Sequence, residues 1–371
     1  MADFANTDLK KIAVIMAGGS NVMLWPKATE KFPKQFLRLL SNESMVESTY
    51  NRLLPYFEPD NIYIVTSKEY ANLIKQQIPL LPETNIIIEP FAKHTAPCLA
   101  LTLSVLKDKY TDDTIIMAFP SDHYIVNVRE FQNSLEIAGR VAIQTGGIVT
   151  IGIQPTRPET KYGYVQIRNE RGDLGEYYDM RVRKSSTFAE KPDIDTAKRF
   201  VKSGDFLWNS GIFIMSIKRF WSAFEEHLPE HFQLFDIIKR TTGKDVFREA
   251  VKDAYMQMEG VSMDYAILEK DKNVYVVESS FSWSDLGDWD EIYRLSRKDA
   301  RNNVLIGDVI ALGGVKNSLI LTNERLIGIA GVENLIVIDT KDALLICKKG
   351  DTERVQDIVD FLRRKQINHY L

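Results

Sequence analysis

The sequence predicts a doubly wound, Rossmann-like α/β fold, a mixed sheet with a small β-rich appendage at the C-terminal end, and three observations carry that expectation. Apolar runs rich in β-branched residues alternate with segments of helical periodicity from residue 11 to about 155, the pattern of strands set side by side with helices on both faces. Two glycines directly follow the first of those runs, at a place where open α/β sheets receive ligands. Beyond a polar stretch at 296–303 the texture changes to short β-branched runs broken by Gly and Asn, which reads as a separate β module.

The first strand is Lys11 to Ala17, apolar at almost every position, as in a parallel strand covered on both faces. Asn61 to Thr66, Asn85 to Ile88, Thr114 to Phe119 and Gly147 to Ile153 are the strands that follow. Between them Ser44 to Leu54, Lys68 to Ile78, Thr95 to Lys109 and Arg129 to Gln144 space their apolar residues by three and four, as helices laid on a sheet do. From about 156 to 296 the order loosens, with short strands at Tyr164 to Arg168, Ser186 to Glu190, Gly211 to Ser216 and Asn273 to Glu278 and a helix at Ile194 to Lys202. This stretch extends the same sheet. Residues 1–296 are read as one domain and 297–371 as a second, with Ser296 to Asn303 as linker. The second ends in an amphipathic helix, Thr352 to Arg364, whose Val355, Ile358, Val359 and Leu362 share a face. No internal repeat is read.

With 371 residues, 44% of them hydrophobic, the chain can bury a sizeable core. Its net charge of -4 speaks against nucleic acid as a partner. No basic N-terminal region leads into an apolar stretch, and no apolar run reaches the length of a membrane span, so a cytoplasmic protein without a membrane partner is expected. The two cysteines, Cys98 and Cys347, lie far apart without metal-like spacing and are read as reduced thiols.

Chemistry is expected in the loops after the strands. The turn Ala17-Gly18-Gly19-Ser20 lets backbone N–H groups approach an anion without side chains in the way. It has neither the G-x-G-x-x-G of dinucleotide folds nor the G-K-[ST] ending of a P-loop, so both readings fail on residue identity. Phe119-Pro120-Ser121-Asp122-His123 brings an acid to the end of one strand, and Trp283-Ser284-Asp285-Leu286-Gly287-Asp288-Trp289 offers another. Two such acids can share one hard cation, since Mg²⁺ needs few carboxylates when substrate phosphates complete its shell. Five scattered histidines do not make a zinc site.

The glycine turn, continued as Met23-Leu24-Trp25-Pro26 and Phe32-Pro33-Lys34-Gln35-Phe36-Leu37, resembles the sugar-1-phosphate nucleotidyltransferases, in particular the mannose-1-phosphate guanylyltransferase branch. The resemblance runs from Lys11 to about Arg364. That family's loop reads Gly-Gly-x-Gly-x-Arg-Leu-Trp-Pro. Here Asn21 stands for the third glycine and Met23 for the arginine that faces the triphosphate.

The resemblance implies a nucleotide site of Ala17, Gly18, Gly19, Ser20, Glu89, Thr95 and Ser121, with Lys34 on the phosphates and Glu89 or a backbone carbonyl accepting from guanine. Thr160-Lys161-Tyr162-Gly163-Tyr164, Phe188-Ala189-Glu190-Lys191-Pro192 and Leu207-Trp208-Asn209-Ser210-Gly211 match its sugar-phosphate motifs. They imply that Gly163, Glu190 and Asn209 hold the hexose and Lys191 its phosphate, with Asp264 from the motif Ser262 to Lys270. Asp122 and Asp285 become the ligands of Mg²⁺, and Lys34 and Lys191 the catalytic cations. The implied reaction joins GTP and mannose 1-phosphate to give GDP-mannose and pyrophosphate, in a homodimer. Longer relatives carry a phosphomannose isomerase domain, for which no room is expected after Leu371. Met23 keeps two alternatives open, a catalytically silent sugar-nucleotide-binding regulatory subunit and a transferase for another nucleotide or sugar phosphate. Lys27, Lys31 and Arg38 are the nearby cations that can make up for its missing charge.

Overall fold

Strand β1 (Lys11–Met16) runs through the middle of one half of a nine-stranded sheet, in a computed structural model that describes residues 10–19 and 22–371. The strands after it are β2 (Ile62–Ser67), β3 (Ile86–Glu89), β4 (Ile115–Pro120), β5 (Tyr124–Ile125), β6 (Ile148–Ile153), β7 (Tyr164–Arg168), β8 (Val182–Ala189), β9 (Phe206–Ser216), β10 (Val274–Ser279) and β11 (Trp283–Ser284). The sheet order is β3-β2-β1-β4-β9-β6-β10-β8-β7. β1 pairs in parallel with β2 and β4, β9 runs antiparallel to both β4 and β6, and β10 is parallel to β6. The chain moves outward from β1 to β2 and β3, then returns to lay β4 on the other side of β1. Strand order therefore reverses at β1 and β4, and their C-terminal loops are where such a sheet receives a ligand.

The helices α1 (Met45–Leu53), α2 (Ala71–Gln77), α3 (Thr95–Val105), α4 (Val128–Thr145) and α5 (Ile194–Ser203) fall where the periodicity placed them, within a few residues at each end. α3 is buried from Ala96 to Ser104. Its cover is a layer the sequence reading missed: α6 (Ile217–His227), α7 (Pro229–Thr241) and α8 (Phe247–Gln257) pack Phe220, Phe224, Phe235, Ile238, Val251 and Tyr255 into the same apolar cluster as Leu99, Leu101 and Leu103. A helix apolar all round must be buried on all sides. β9 begins at Phe206, earlier than expected, and its pairing with β6 shifts register between Thr150 and Gly152. Such an irregularity re-aims side chains, and Asn209 sits in it.

The described residues divide into two compact units. One holds the residues up to Gly18, Tyr50–Ser121 and Ile125–Trp283. The other gathers Gly19–Thr49, Asp122–Tyr124 and Ser284–Leu371. The second contains the helix α9 (Trp289–Leu295), the strands β12 (Val304–Ile306), β13 (Val309–Leu312), β14 (Leu319–Leu321), β15 (Ile327–Ala330), β16 (Leu335–Asp339) and β17 (Leu344–Lys348), and the helix α10 (Val355–Arg364). β12, β14 and β16 stack in parallel, as do β13 and β15, so the segment is a pile of coils, a short β-helix. The coils form a repeat that the sequence reading did not find. Asn302, Asn317 and Asn334 turn the corners with φ of 58°, 54° and 58°, left-handed values that Asn tolerates better than most residues. The linker-like stretch before them is itself bonded in: Asp299 accepts from the N–H groups of Arg301 and Asn303, and Asn303 is 2% exposed.

The coil's interior does not close on itself. Val304, Leu319, Ile336, Ile338 and Val355 share one apolar cluster with Leu24, Trp25, Ala28 and Leu37, which follow the glycine turn, and with Leu286 and Trp289. Trp25 Nε1 donates to the Tyr370 carbonyl at 2.8 Å, and Trp289 Nε1 to the Trp25 carbonyl at 2.9 Å. Among the described residues no helix is long and apolar enough to cross a membrane, and Cys98 and Cys347 are free thiols.

Candidate active site

In the second unit the candidate centre is built around Lys34. The Pro33-Lys34-Gln35-Phe36 segment forms a short 3-10 turn that buries the lysine to 2% exposure. Its ammonium lies 2.7 Å from Asp122 Oδ2 and donates to the backbone carbonyl of Asp285. The neighbouring Gln35 donates from Nε2 to the Gly19 carbonyl at 2.8 Å, tying the lysine turn to the glycine turn. Burial pushes the Asp122 carboxyl up, but Lys34, His123 and its hydrogen bonds outweigh that and hold it below its ordinary range.

Asp285 stands on a rigid corner. Leu286 has φ of 48°; its N–H bonds to Ser284 Oγ at 3.0 Å, and that hydroxyl donates to Glu291 at 2.7 Å. Asp288 caps α9 through the Glu291 N–H, and Asp285 Oδ1 accepts from Gly287 N–H at 3.1 Å. A Cβ on Gly287 would come within 3.2 Å of the Asp285 carboxylate, so the glycine leaves that carboxylate room. Among the described residues no three His, Cys, Asp or Glu side chains cluster as a closed metal cage. Lys34 joins the Asp122 carboxylate to the Asp285 backbone carbonyl, and a hard divalent ion that takes most of its shell from phosphate oxygens needs few carboxylates from the protein.

In the first unit Glu89 ends β3, 5% exposed, and a Cβ on Gly18 would lie 3.2 Å from its Oε2. A side chain at Gly18 would therefore crowd that acid. Tyr255 donates to Glu89 Oε1 at 3.0 Å. Burial raises the Glu89 carboxyl to about 7, against the opposing pull of that hydroxyl and of the Lys93 backbone. Ala17 is fully buried, its N–H bonded to the Val65 carbonyl and its own carbonyl to Thr66 Oγ1, so it anchors the start of the turn. Ser20 and Asn21 lie outside the described residues. Ser121 is buried and its N–H reaches the Met16 carbonyl. Thr95 begins α3, but its hydroxyl accepts from the Met263 N–H at 2.8 Å, so it ties the segment 261–263 to the helix start.

The sugar-phosphate residues also meet within this unit. A Cβ on Gly163 would lie 2.7 Å from Glu190 Oε2 and 3.7 Å from Asn209 Cβ, while Asn209 N–H bonds to the Gly163 carbonyl at 2.8 Å. Asn209 Nδ2 donates to Asp264, and its Oδ1 accepts from Thr150 Oγ1 at 3.0 Å. Asp264 is raised to about 6, first by burial and further by Glu190, with Asn209 pulling the other way. Lys191 extends outward, 65% exposed, its ammonium 3.5 Å from Glu190, a pair of little energetic weight. Its backbone holds φ of 45°.

Left-handed backbone at a side chain other than Gly or Asn costs energy and tends to gather at functional sites. Of the residues that show it here, Lys191 is itself a predicted site residue, His94 precedes Thr95 and Leu286 follows Asp285. Sequence reasoning missed Gln35, Tyr255 and Thr150. Gln35 was within reach, beside Lys34; Tyr255, on a core-facing helix, and Thr150, in a buried strand, carry no local signal.

The nucleotidyl transferase family model matches residues 12–302, and the model of the MannoseP isomerase/GMP-like beta-helix domain matches 307–362. A mannose-1-phosphate guanylyltransferase of Escherichia coli is 32% identical over 95% of this chain and 75% of its own. One of Klebsiella pneumoniae is 34% identical over 97% and 75%. The crystal structure of a "mannose-1-phosphate geranyltransferase" from Thermus thermophilus superposes with a TM-score of 0.85 at 25% identity, covering 96% of this chain and all of that one.

Proposed function

The chain belongs to the nucleotidyl transferase family and, within it, to the mannose-1-phosphate guanylyltransferases, and from that premise we propose that it transfers GMP from GTP to mannose 1-phosphate, releasing pyrophosphate. The observation that carries the reading is the single buried ammonium of Lys34 that joins Asp122 to Asp285. A nonbridging oxygen of the sugar phosphate attacks the α-phosphorus in line with the departing pyrophosphate. No general base is needed, because a phosphate monoester is already largely deprotonated near neutral pH. Catalysis then reduces to alignment and to neutralising the charge that develops on the leaving group.

Each residue has a task in that scheme. The glycine turn admits the triphosphate. Lys34 fixes Asp122 and the Asp285 corner in one arrangement and adds positive charge beside the phosphates. Glu89 accepts from the guanine edge. Glu190, Asn209 and Asp264 bind the hexose hydroxyls, and Lys191, long and exposed, aims the sugar phosphate. Enzymes of this family use a divalent metal ion; we assign Mg²⁺ to Asp122 and Asp285, where it would supply further charge neutralisation of the phosphates. The protein is proposed to act in the cytoplasm as a homodimer, with neither membrane nor nucleic acid as partner.

The test is a comparison of pyrophosphate release with GTP, UTP and ATP, each against mannose 1-phosphate and glucose 1-phosphate, in the presence of Mg²⁺ and then with excess chelator. GTP with mannose 1-phosphate is expected to lead by at least an order of magnitude, and chelation to abolish turnover. A preference for another nucleotide overturns the assignment, and sedimentation analysis of the same preparation checks the dimer.

A further inference from the structure

Polyphosphate bound at the glycine turn needs more positive charge than Lys34 can give, because that ammonium is already shared between a carboxylate and a carbonyl. Met23 carries no charge. The same segment offers three other cations, and the structure separates them. Arg38 is 62% exposed and turned to Glu47, 3.8 Å away. Lys31 is exposed to solvent, where a lone charge is screened.

Lys27 differs from both. It is half-buried in the turn that follows the glycines, flanked by the fully or almost fully buried Pro26 and Ala28, and its N–H closes that turn on the Leu24 carbonyl at 3.0 Å. No carboxylate pairs with it among the described residues, and burial alone pulls its ammonium below the ordinary lysine range. The residues around it, Leu24, Trp25 and Ala28, share a core with Leu286, next to Asp285, so its backbone is held in the unit that carries Lys34, Asp122 and Asp285. A partly desolvated ammonium without a protein counter-ion costs stability unless a ligand supplies one.

We infer that Lys27 binds the polyphosphate of the nucleotide and provides the leaving-group charge stabilisation that Met23 cannot. This rests on the nucleotidyltransferase reading. Removing a well-placed donor to developing charge costs about 100-fold or more in rate, and Lys27→Met is expected to lower kcat by about that factor with little change in KM for mannose 1-phosphate. Lys27→Arg should retain activity, and Met23→Arg placed in the Lys27→Met background should restore it, a rescue that a merely structural role would not give. Lys31→Ala should leave turnover unchanged.

Inorganic tripolyphosphate separates this inference from the assignment of substrates. Its equilibrium affinity for the wild-type protein should fall about tenfold in Lys27→Met, roughly the worth of one charge-assisted hydrogen bond. An unchanged affinity, or a Lys27→Met enzyme of normal kcat, overturns the role of Lys27 whatever the protein transfers. Lost tripolyphosphate binding in Lys27→Met, in a wild-type protein that turns over no guanine nucleotide, supports Lys27 and overturns the substrate assignment alone.

Discussion

The two halves of the candidate chemistry differ in how their charges are settled. Around Lys34 the central charges are settled inside the protein: the ammonium is buried to 2% and Asp122, at 28% exposure, is held ionised by it. Around Asn209 the balance is acidic, with Asp264 and Glu269 both raised by burial and by Glu190, Lys270 pulling Glu269 the other way, and Lys191 mostly in solvent. The first region is compensated and stiff before any ligand arrives. The second is uncompensated, which suits the hexose proposed to bind there with its many hydroxyl donors.

The largest effect expected from this contrast is at Lys34. Lys34→Met leaves Asp122 without its counter-charge and the Asp285 carbonyl without its donor. Turnover, read as pyrophosphate release, should fall about 1000-fold, and the melting temperature should drop, since breaking one side of a buried pair costs about 3 kcal/mol. Activity within tenfold of wild type would break the comparison at its stiff end.

A smaller effect is expected at Asn209. Asn209→Ala removes the bonds to Asp264 and Thr150, and KM for the sugar phosphate should rise about 10- to 100-fold, the cost of losing one or two hydrogen bonds to a charged or polar partner. Affinity for GTP, measured by equilibrium titration, should stay put. A parallel loss of both would mean that the change propagates beyond the sugar pocket.

The smallest effect is on pH dependence, and its sign differs between the regions. Asp264 and Glu89 are raised in the folded protein, to about 6 and about 7, so the stability they contribute is fully present below the unfolded carboxylate range, around 4, and is lost as pH rises through those values. Asp122 is lowered; its contribution is present above that unfolded range and disappears as the solution is acidified. Thermal scans should thus show Glu89→Gln and Asp264→Asn flattening the decline from about pH 4 to 7 by a few degrees, while Asp122→Asn flattens the loss below pH 4. Equal slopes in all three variants would remove the distinction.

Much of this was legible in the chain because the relevant signals are local. β1 is apolar on both faces and the glycine turn follows it, so the strand and its loop could be read together. What escaped depends on contacts between distant segments. α6, α7 and α8 carry apolar faces that make sense only against an α3 buried on all sides. The β-coil did leave a signal, the asparagines at 302, 317 and 334 each just before an apolar run, but the intervals are unequal and the coils share no other motif. Lys34 was legible as a candidate from Pro33-Lys34-Gln35, whereas its burial between a carboxylate and a carbonyl over eighty residues away and more had no trace in the one-dimensional pattern.

The apolar cluster that joins Leu24 and Trp25 to the coil's interior limits what protein engineers can borrow from this molecule. A turn proposed to bind phosphate invites treatment as a portable cassette, yet here its underside is part of another module's filling. Grafted onto a scaffold that lacks the coil, the turn would leave the large Trp25 indole facing water and would lose the Tyr370 carbonyl that holds it. Homologous recombination between relatives should therefore succeed when both pieces come from one parent and fail when they are mixed.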